Sequence, residues 1–481
     1  MAIEFSRRRF LSGLSSAAGF ALLQSAYGQP LSARVPEGEQ DWPPASLTTL
    51  RAVTRTLEIN GKPASAMGLL QPNGAQGMTT TLNQPFMVLL ENQLPAPTAI
   101  HWHGLHPPNN EDGVPGVTQP VVRTDSGILY NFPVLPAGTH WMHSHQGLQE
   151  AYLLAAPLIV HDPADHADEQ EVVIMLADFS FMPPSEVFAT LRARRSPLTS
   201  GMKTNKPDAN DWNYDAYLAN DRTLTDPEVI RVEKGGRVRL RIINSSTGTN
   251  YFVDLGNMSG ELIAADGIPV EPVKGSRFPV AIAQRIDLMV EIPKEGGAFP
   301  ILGLRELSSE QTGVILATPG AAIKALPQKS SSPTGLMTMD LERRLVAVNP
   351  LAPKPATSTT VLRLQGNMMG YQWMINGVAF DVSDPGKEQP QVIVKPGGRA
   401  IIKFVNETPM AHPMHLHGHA FQVIGINDIS LNGALRDTVL VPGNGTVTVA
   451  FDANNPGLWY VHCHVLWHLA AGMVTMVQYD G

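Results

Sequence analysis

Three stretches of this chain repeat one pattern, and that repeat constrains the fold more than any other feature of the sequence. Each begins in a turn, runs into a strand-like segment and ends in asparagine: Leu82-Asn83-Gln84 to Asn92, Lys234-Gly235-Gly236 to Asn244, and Pro396-Gly397-Gly398 to Asn406. A unit recurring at this interval points to a repeated domain. In the middle copy Val238, Leu240 and Ile242 alternate with Arg237, Arg239 and Arg241. That is the period-two signature of a strand with one buried and one wet face, so the arginines are expected on a solvated face.

Histidines follow the repeat in two copies of the three. Nine residues after Asn92 comes His101, and nine after Asn406 comes His415, but nine after Asn244 stands Val253. Downstream, Gly138 precedes His143 by five residues and Gly457 precedes His462 by five. The first and last thirds therefore repeat each other and keep histidines that the middle third lacks. At roughly 150 residues per domain, 481 residues fit three domains. They are placed at 40–165, 166–325 and 335–481, each an all-β, Greek-key-like sandwich of short strands bounded by turns. The 42 glycines and 40 prolines support a turn-rich chain, since together they exceed the usual share of about 12%. Ser330-Ser331-Ser332-Pro333 and the Pro-rich 349–355 stretch mark the last linker. Residues 182–224 are strand-poor, with Arg192, Arg194 and Arg195 in a candidate helix. They are expected to form a surface insertion, with a lid over a substrate site as the alternative.

Cys463 is the one cysteine. A single thiol excludes an intramolecular disulfide, an iron–sulfur cluster, a cysteine-rich zinc module and a two-cysteine redox motif. A net charge of -8 spread along the chain argues against nucleic acid and anionic membrane as partners. Residues 1–28 read as an export signal: Ser6-Arg7-Arg8-Arg9-Phe10-Leu11 precedes a modest apolar run from Leu14 to Ala26, and Ala26-Tyr27-Gly28 offers small residues for cleavage. The arginine pair resembles a twin-arginine signal, which implies the twin-arginine export machinery and a bacterial periplasm. An ordinary secretory signal or membrane anchor is the alternative. No later segment reaches about 18 unbroken apolar residues, so no stable membrane span is expected in the mature form.

Four His-x-His pairs carry the chemistry: His101/His103, His143/His145, His415/His417 and His462/His464. Residues two apart on a strand point to the same face, so each pair presents two imidazoles to one place. If the first and third domains pack together, eight imidazoles converge. Within His462-Cys463-His464 the cysteine must then face the other way, and His412 has parity opposite to His415 and His417. Cys463, His412, His468 and Met473 would form a second site of two imidazoles, a thiolate and a thioether. That donor set suits a blue-copper electron-transfer centre. Zinc prefers four firm ligands and has no use for an adjoining eight-imidazole site. An electron arriving at Cys463 would cross to the cluster through its two histidine neighbours.

With His101-Trp102-His103-Gly104, His143-Ser144-His145, His412-Pro413-Met414-His415-Leu416-His417 and His462-Cys463-His464 followed by His468 and Met473, the chain resembles the three-domain multicopper oxidases, related to laccases and bacterial copper-resistance oxidases. The resemblance implies cupredoxin domains and four copper ions. His412, Cys463, His468 and Met473 would hold type 1 copper, and His101 and His415 type 2. His103, His143, His145, His417, His462 and His464 would hold the type 3 pair. It further implies dioxygen as the acceptor, reduced to two waters by four single electrons from a small donor, and a monomer.

Four protons must reach the cluster, so acids belong near it. Asp112 matches the position of the family's acidic residue near type 2 copper. Many relatives carry another acid in or after the last motif, yet Val465, Leu466, Trp467 and Leu469 are apolar here. Glu150 is the substitute considered, and Asp437 reads as a structural partner of a ligand. His106, His140, His161, His166 and His419 fall outside the ligand count and read as surface or hydrogen-bonded histidines. Met337/Met339 and Met368/Met369/Met374 read as core filling rather than as a cuprous site. The donor is expected to be a phenol or aromatic amine. The alternatives are a cuprous or other metal-ion oxidase in copper tolerance, a non-catalytic copper store, or a structural protein of the same fold. A two-domain copper nitrite reductase is disfavoured by the third domain and the full histidine set.

Overall fold

The computed structural model describes residues 47–165, 168–193 and 210–480. The export-signal segment 1–28, His166, Arg194 and Arg195 lie outside the described residues. Among the described residues the chain is almost entirely β, and no helix is long and apolar enough to cross a membrane.

Each third of the chain builds two facing sheets. In the first, Lys62–Leu70, Thr48–Ile59, Pro85–Asn92 and Ser126–Pro133 form one sheet, and Met78–Thr81, Ala155–His161, Gly138–Ser144 and Ile100–His101 the other. The middle third makes a six-stranded and a five-stranded sheet from strands between Gln170 and Ala317, and the last third makes two sheets from strands between Ala356 and Tyr479. Apolar residues between the sheets form three large clusters. The one in the last third also takes in Trp141, Val187 and Leu191 from elsewhere in the chain.

The repeated segment has one job in all three thirds. Pro85–Asn92, Arg237–Asn244 and Arg399–Asn406 each lie inside a sheet, parallel to the strand that opens their third and antiparallel to the neighbour on the other side. The closing asparagine explains itself in the same way each time. Asn92 Nδ2 donates to Ala96 O and Val122 O, Asn244 Nδ2 to Thr249 O and Val280 O, and Asn406 Nδ2 to Met410 O and Val441 O. Each Oδ1 accepts the backbone N–H two residues on. One buried amide thus pins the loop leaving the strand to a second segment across the sandwich, satisfying backbone groups that water cannot reach.

The arginine face of the middle copy departs from expectation. Arg237 is exposed, but Arg241 is fully buried, donating to Glu171 Oε1 at 2.9 Å, Asp287 Oδ2 at 3.1 Å and Thr139 Oγ1 at 3.0 Å. The strand Gly138–Ser144 of the first third packs against this face. A period-two pattern reports the faces of a strand within its own domain, and here another domain covers the face that looks wet.

The described parts of the 182–224 segment, 182–193 and 210–224, are also more than a surface insertion. The helix Pro184–Arg192 starts with proline in its first turn and ends with arginine in its last, both favourable ends, and it buries Val187 and Leu191 in the core of the last third. Ala216–Ala219 is an edge strand paired with Gln170–Phe179. Between them, Asp211 is buried.

Candidate metal centres

Strand pairing brings the histidines together in the way their parity requires. His101 lies opposite His143 across one strand pair, and His415 lies opposite His462 across another. In that second pair Met414 is opposite Cys463, so the thiol leaves the sheet on the face away from His462. His101, His103 and His415 bring ligand nitrogens within 4.8 Å of one another, as do His103, His143 and His464, and also His145, His417 and His462. All eight imidazoles therefore meet between the first and last thirds. Two pairs stack at 3.8 Å between ring centres, His101 on His417 and His103 on His415.

The ring nitrogens face inward in the form that binds metal. Nδ1 of His101, His415 and His462 lies 2.9–3.0 Å from the carbonyls of Asp112, Asp437 and Cys463, and Nδ1 of His417 lies 2.8 Å from Asp112 Oδ2. An oxygen acceptor at Nδ1 puts the proton there and leaves the Nε2 lone pair pointing into the cluster. His103 is turned the other way: its Nε2 meets Asp437 Oδ1 at 3.1 Å and its Nδ1 is left free. The result is a set of buried lone pairs that meet no hydrogen-bond donor. His101 Nε2 faces His415 Nε2 at 3.4 Å, His417 Nε2 faces His462 Nε2 at 3.0 Å, and His103 Nδ1, His143 Nε2, His145 Nε2 and His464 Nε2 are buried without a hydrogen-bond partner. Burial first, and then neighbouring imidazoles, lowers the pKa of His103, His143, His145, His417, His462 and His464 well below the usual value. Neutral imidazoles converging nitrogen to nitrogen are a poor arrangement for a hydrogen-bonded core and a good one for borderline-soft cations such as copper.

The second donor set lies behind Cys463. Its Sγ is 3.6 Å from His412 Nδ1 and 3.5 Å from His468 Nδ1, and all three residues are fully buried. On the far side of the rings, His412 Nε2 bonds Thr408 Oγ1 at 2.8 Å and His468 Nε2 lies 2.8 Å from the Asp211 carboxylate. Met473 is fully buried, and its backbone bonds to Cys463 N and His468 O. Burial pushes the Cys463 thiol up, so it needs a cation beside it to stand as a thiolate. The donor set therefore fits copper, with two imidazole Nδ1 atoms and one sulfur gathered by fixed partners.

Three acids touch the imidazole cluster. Asp112 Oδ2 meets His417 Nδ1, and its Oδ1 lies 3.2 Å from His101 Nδ1. Glu150 Oε2 is 3.1 Å from His143 Nδ1 on the opposite side, and burial, then Asp178, raises its pKa well above the usual carboxylate value. Asp437 bonds His103. Burial alone would raise its carboxyl, but the Arg285 guanidinium and His103 hold it well below the usual range. Among the other histidines, His140 bonds Pro136 O, His161 bonds Glu171, and His419 bonds Tyr479, as expected of hydrogen-bonded histidines. Met337, Met339 and Met368 are buried in the core. Two residues escaped sequence reasoning. Asp211 sits in the 182–224 segment, where the aromatic run Trp212 to Tyr214 was the available signal. Arg285 carried no signal, because its partners come from distant parts of the chain.

Paired sandwiches that gather one thiolate-containing donor set and one eight-imidazole set define a protein built for several copper ions. Three multicopper oxidase family models match residues 72–165, 170–319 and 353–480. Multicopper oxidase MmcO of Mycobacterium tuberculosis (strain ATCC 25618 / H37Rv) is 30% identical, over 99% of this chain and 97% of its own. The copper resistance protein A homolog of Pseudomonas syringae pv. tomato (strain ATCC BAA-871 / DC3000) is 24% identical over the full length of both. The solved laccase from Botrytis aclada superposes with a TM-score of 0.75 at 25% identity, covering 89% of this chain and 86% of that one. The chain belongs to the multicopper oxidase family and is an oxidoreductase that uses oxygen.

Proposed function

We propose that the protein is a laccase-like oxidase that withdraws single electrons from phenols and aromatic amines and delivers four of them to dioxygen, forming two waters. Four copper ions per chain would supply the one-electron chemistry when bound. His412, Cys463, His468 and Met473 would hold the type 1 ion, and His101 and His415 the type 2 ion. His103, His143, His145, His417, His462 and His464 would hold the type 3 pair.

The observation that carries this reading is that Cys463 faces one donor set while its neighbours His462 and His464 face the other. An electron entering at the thiolate has a covalent route of a few bonds to the cluster, so donor and oxygen need never meet. On the donor side, Asp211 Oδ2 holds His468 Nε2 and accepts the Tyr371 hydroxyl at 2.5 Å. Trp373 lies tilted against His468 with ring centres 3.9 Å apart, and Phe188 stacks on Trp467 at 6.5 Å. A carboxylate set among aromatic rings suits a donor with a ring and a hydroxyl or amine hydrogen. On the oxygen side, the contacts of Asp112 and Glu150 with ligand imidazoles from two directions support a role for both in handing over protons, with Glu150 in place of the acid missing after the last motif.

A second reading, cuprous or other metal-ion oxidation in copper tolerance, is favoured by the similarity to the copper resistance protein A homolog. Export through a twin-arginine signal in residues 1–28 to the periplasm, a monomeric state, and domain limits at 40–165, 166–325 and 335–481 complete the proposal.

The test is oxygen uptake by the copper-loaded protein, which is expected to be blue, with a diphenol, an aromatic amine, cuprous ion and ferrous ion offered in turn. The proposal expects the organic donors to be oxidised fastest. Uptake with metal ions alone would reverse the ranking, and colourless protein at full copper occupancy would sink the assignment of Cys463.

A further inference from the structure

The middle third contributes none of the ten histidines of the two sites, yet one of its side chains reaches the cluster. Arg285 is fully buried, and its five N–H groups meet five oxygens. Nη1 and Nη2 grip the Asp437 carboxylate as a fork at 2.7 and 2.6 Å, Nε donates to Thr139 O at 3.0 Å, Nη2 to Asp266 O at 2.9 Å, and Nη1 to Ala283 O at 3.3 Å. These acceptors come from all three thirds. The gripped carboxylate is the one whose Oδ1 meets His103 Nε2, and the backbone carbonyl of the same residue meets His415 Nδ1. One residue therefore sets the orientation of a ligand from the first third and a ligand from the last.

Asp266 completes the arrangement. It lies at a hairpin tip with a positive φ of 49°, and its Oδ1 accepts Arg285 N at 2.9 Å. Its Oδ2 accepts Arg436 Nε at 3.0 Å and Thr438 N at 3.2 Å, the residues on either side of Asp437. At the same tip a Cβ added to Gly138 would stand 2.2 Å from Gly267 O, so the first third is held equally close. A buried ion pair of this kind is poor evidence for stability, because apolar side chains of similar volume stabilise as well or better. Its geometry does have a use. His103 is the imidazole turned opposite to its neighbours, and an acceptor at its Nε2, Asp437 Oδ1 at 3.1 Å with Thr438 Oγ1 at 3.3 Å beside it, keeps its Nδ1 lone pair free.

We propose that the middle third, which contributes none of those ten histidines, positions the imidazole cluster through Arg285 and Asp266, acting on His103 and His415 by way of Asp437. The inference rests on the reading that the eight imidazoles hold copper. Arg285 and Asp266 are positioning residues: they touch neither substrate nor ligand nitrogen, and they determine which ring nitrogen of His103 faces inward.

The experiment compares the full-length protein with Arg285→Lys, which keeps the charge but loses the fork, and with Asp266→Asn, a gentler change should the first fail to fold. Copper content, the blue type 1 absorption, the near-ultraviolet band of the type 3 pair and the type 2 electron paramagnetic resonance spectrum are read on each. The expected result is an unchanged blue absorption per chain with an altered type 2 spectrum and cluster copper affinity weakened roughly tenfold or more. Thr139→Val, which removes another buried contact between the first and middle thirds, is expected to lower the unfolding midpoint and leave the cluster spectra unchanged. Variants of Arg285 and Asp266 that lose only stability, or a Thr139→Val that disturbs the cluster as much as they do, would overturn the inference. Wild-type protein without cluster copper would instead overturn the reading of the eight imidazoles themselves, and this inference with it.

Discussion

Cys463 carries the most information for one residue because strand parity gives it two faces of the molecule to serve. Its thiol lies among His412 and His468, and its backbone neighbours lie in the other donor set. Cys463→Ser is therefore expected to lose the blue absorption and turnover while retaining most of the cluster copper, checked by copper content and absorption on the same sample. Buried histidines outside the ligand sets make a different prediction. Burial, then the Arg285 cation, lowers His140 to about 3, with Asp437 opposing and His106 also nearby. Unfolded histidine titrates at about 6.5. Below that pH the unfolded chain binds a proton that the folded chain refuses, so His140 stabilises the fold above pH about 6.5 and that contribution is lost as pH falls towards 3. The slope is about 1.4 kcal/mol per pH unit for one such histidine. Urea unfolding of His140→Gln between pH 6.5 and 5, at matched copper content, is expected to show a pH dependence shallower by one proton; an unchanged slope would refute the assignment.

At the scale of the element, the sequence pattern was legible wherever a strand's partners are its own neighbours. The alternation of Val238, Leu240 and Ile242, the turns before the repeated strands and the parity of Cys463 all follow from a period of two that holds along any strand. The closing asparagines were visible as a repeat, although their hydrogen bonds across each sandwich were not. Asn244→Ala would leave two buried carbonyls and one buried N–H without partners, so it is expected to destabilise the protein by about 3 kcal/mol in urea unfolding. The type 1 absorption should persist, because that site lies in another third. The Pro184–Arg192 helix was expected within a surface insertion, with a lid as the alternative. Its burial against Tyr371 and Trp467 depends on a surface that another third supplies, and no local period reports that.

In the whole molecule the thirds cross-support one another's chemistry. The middle third places Asp211 beside His468 and Arg285 on Asp437, although it contributes none of the ten clustered histidines. If Asp211 orients both His468 and the donor, Asp211→Asn is expected to lower kcat/KM for a diphenol about tenfold, with a smaller change for ferrous ion, measured by steady-state oxygen uptake. Equal losses for both donors would assign Asp211 to the metal site alone. The sequence indicated an all-β, threefold-repeated chain, and strand parity separated Cys463 from His462 and His464, and His412 from His415 and His417. It did so because alternation along a strand and spacing within a repeat are local and survive in one dimension. The tertiary structure alone decided which ring nitrogen of His103 faces the cluster, that Glu150 meets His143, and that Arg241, Arg285 and Asp211 are buried. Most of those facts depend on contacts between distant parts of the chain, His103 and Asp437 being 334 residues apart. Burial and hydrogen-bond direction are properties of the assembled interface, and no spacing in the sequence encodes them.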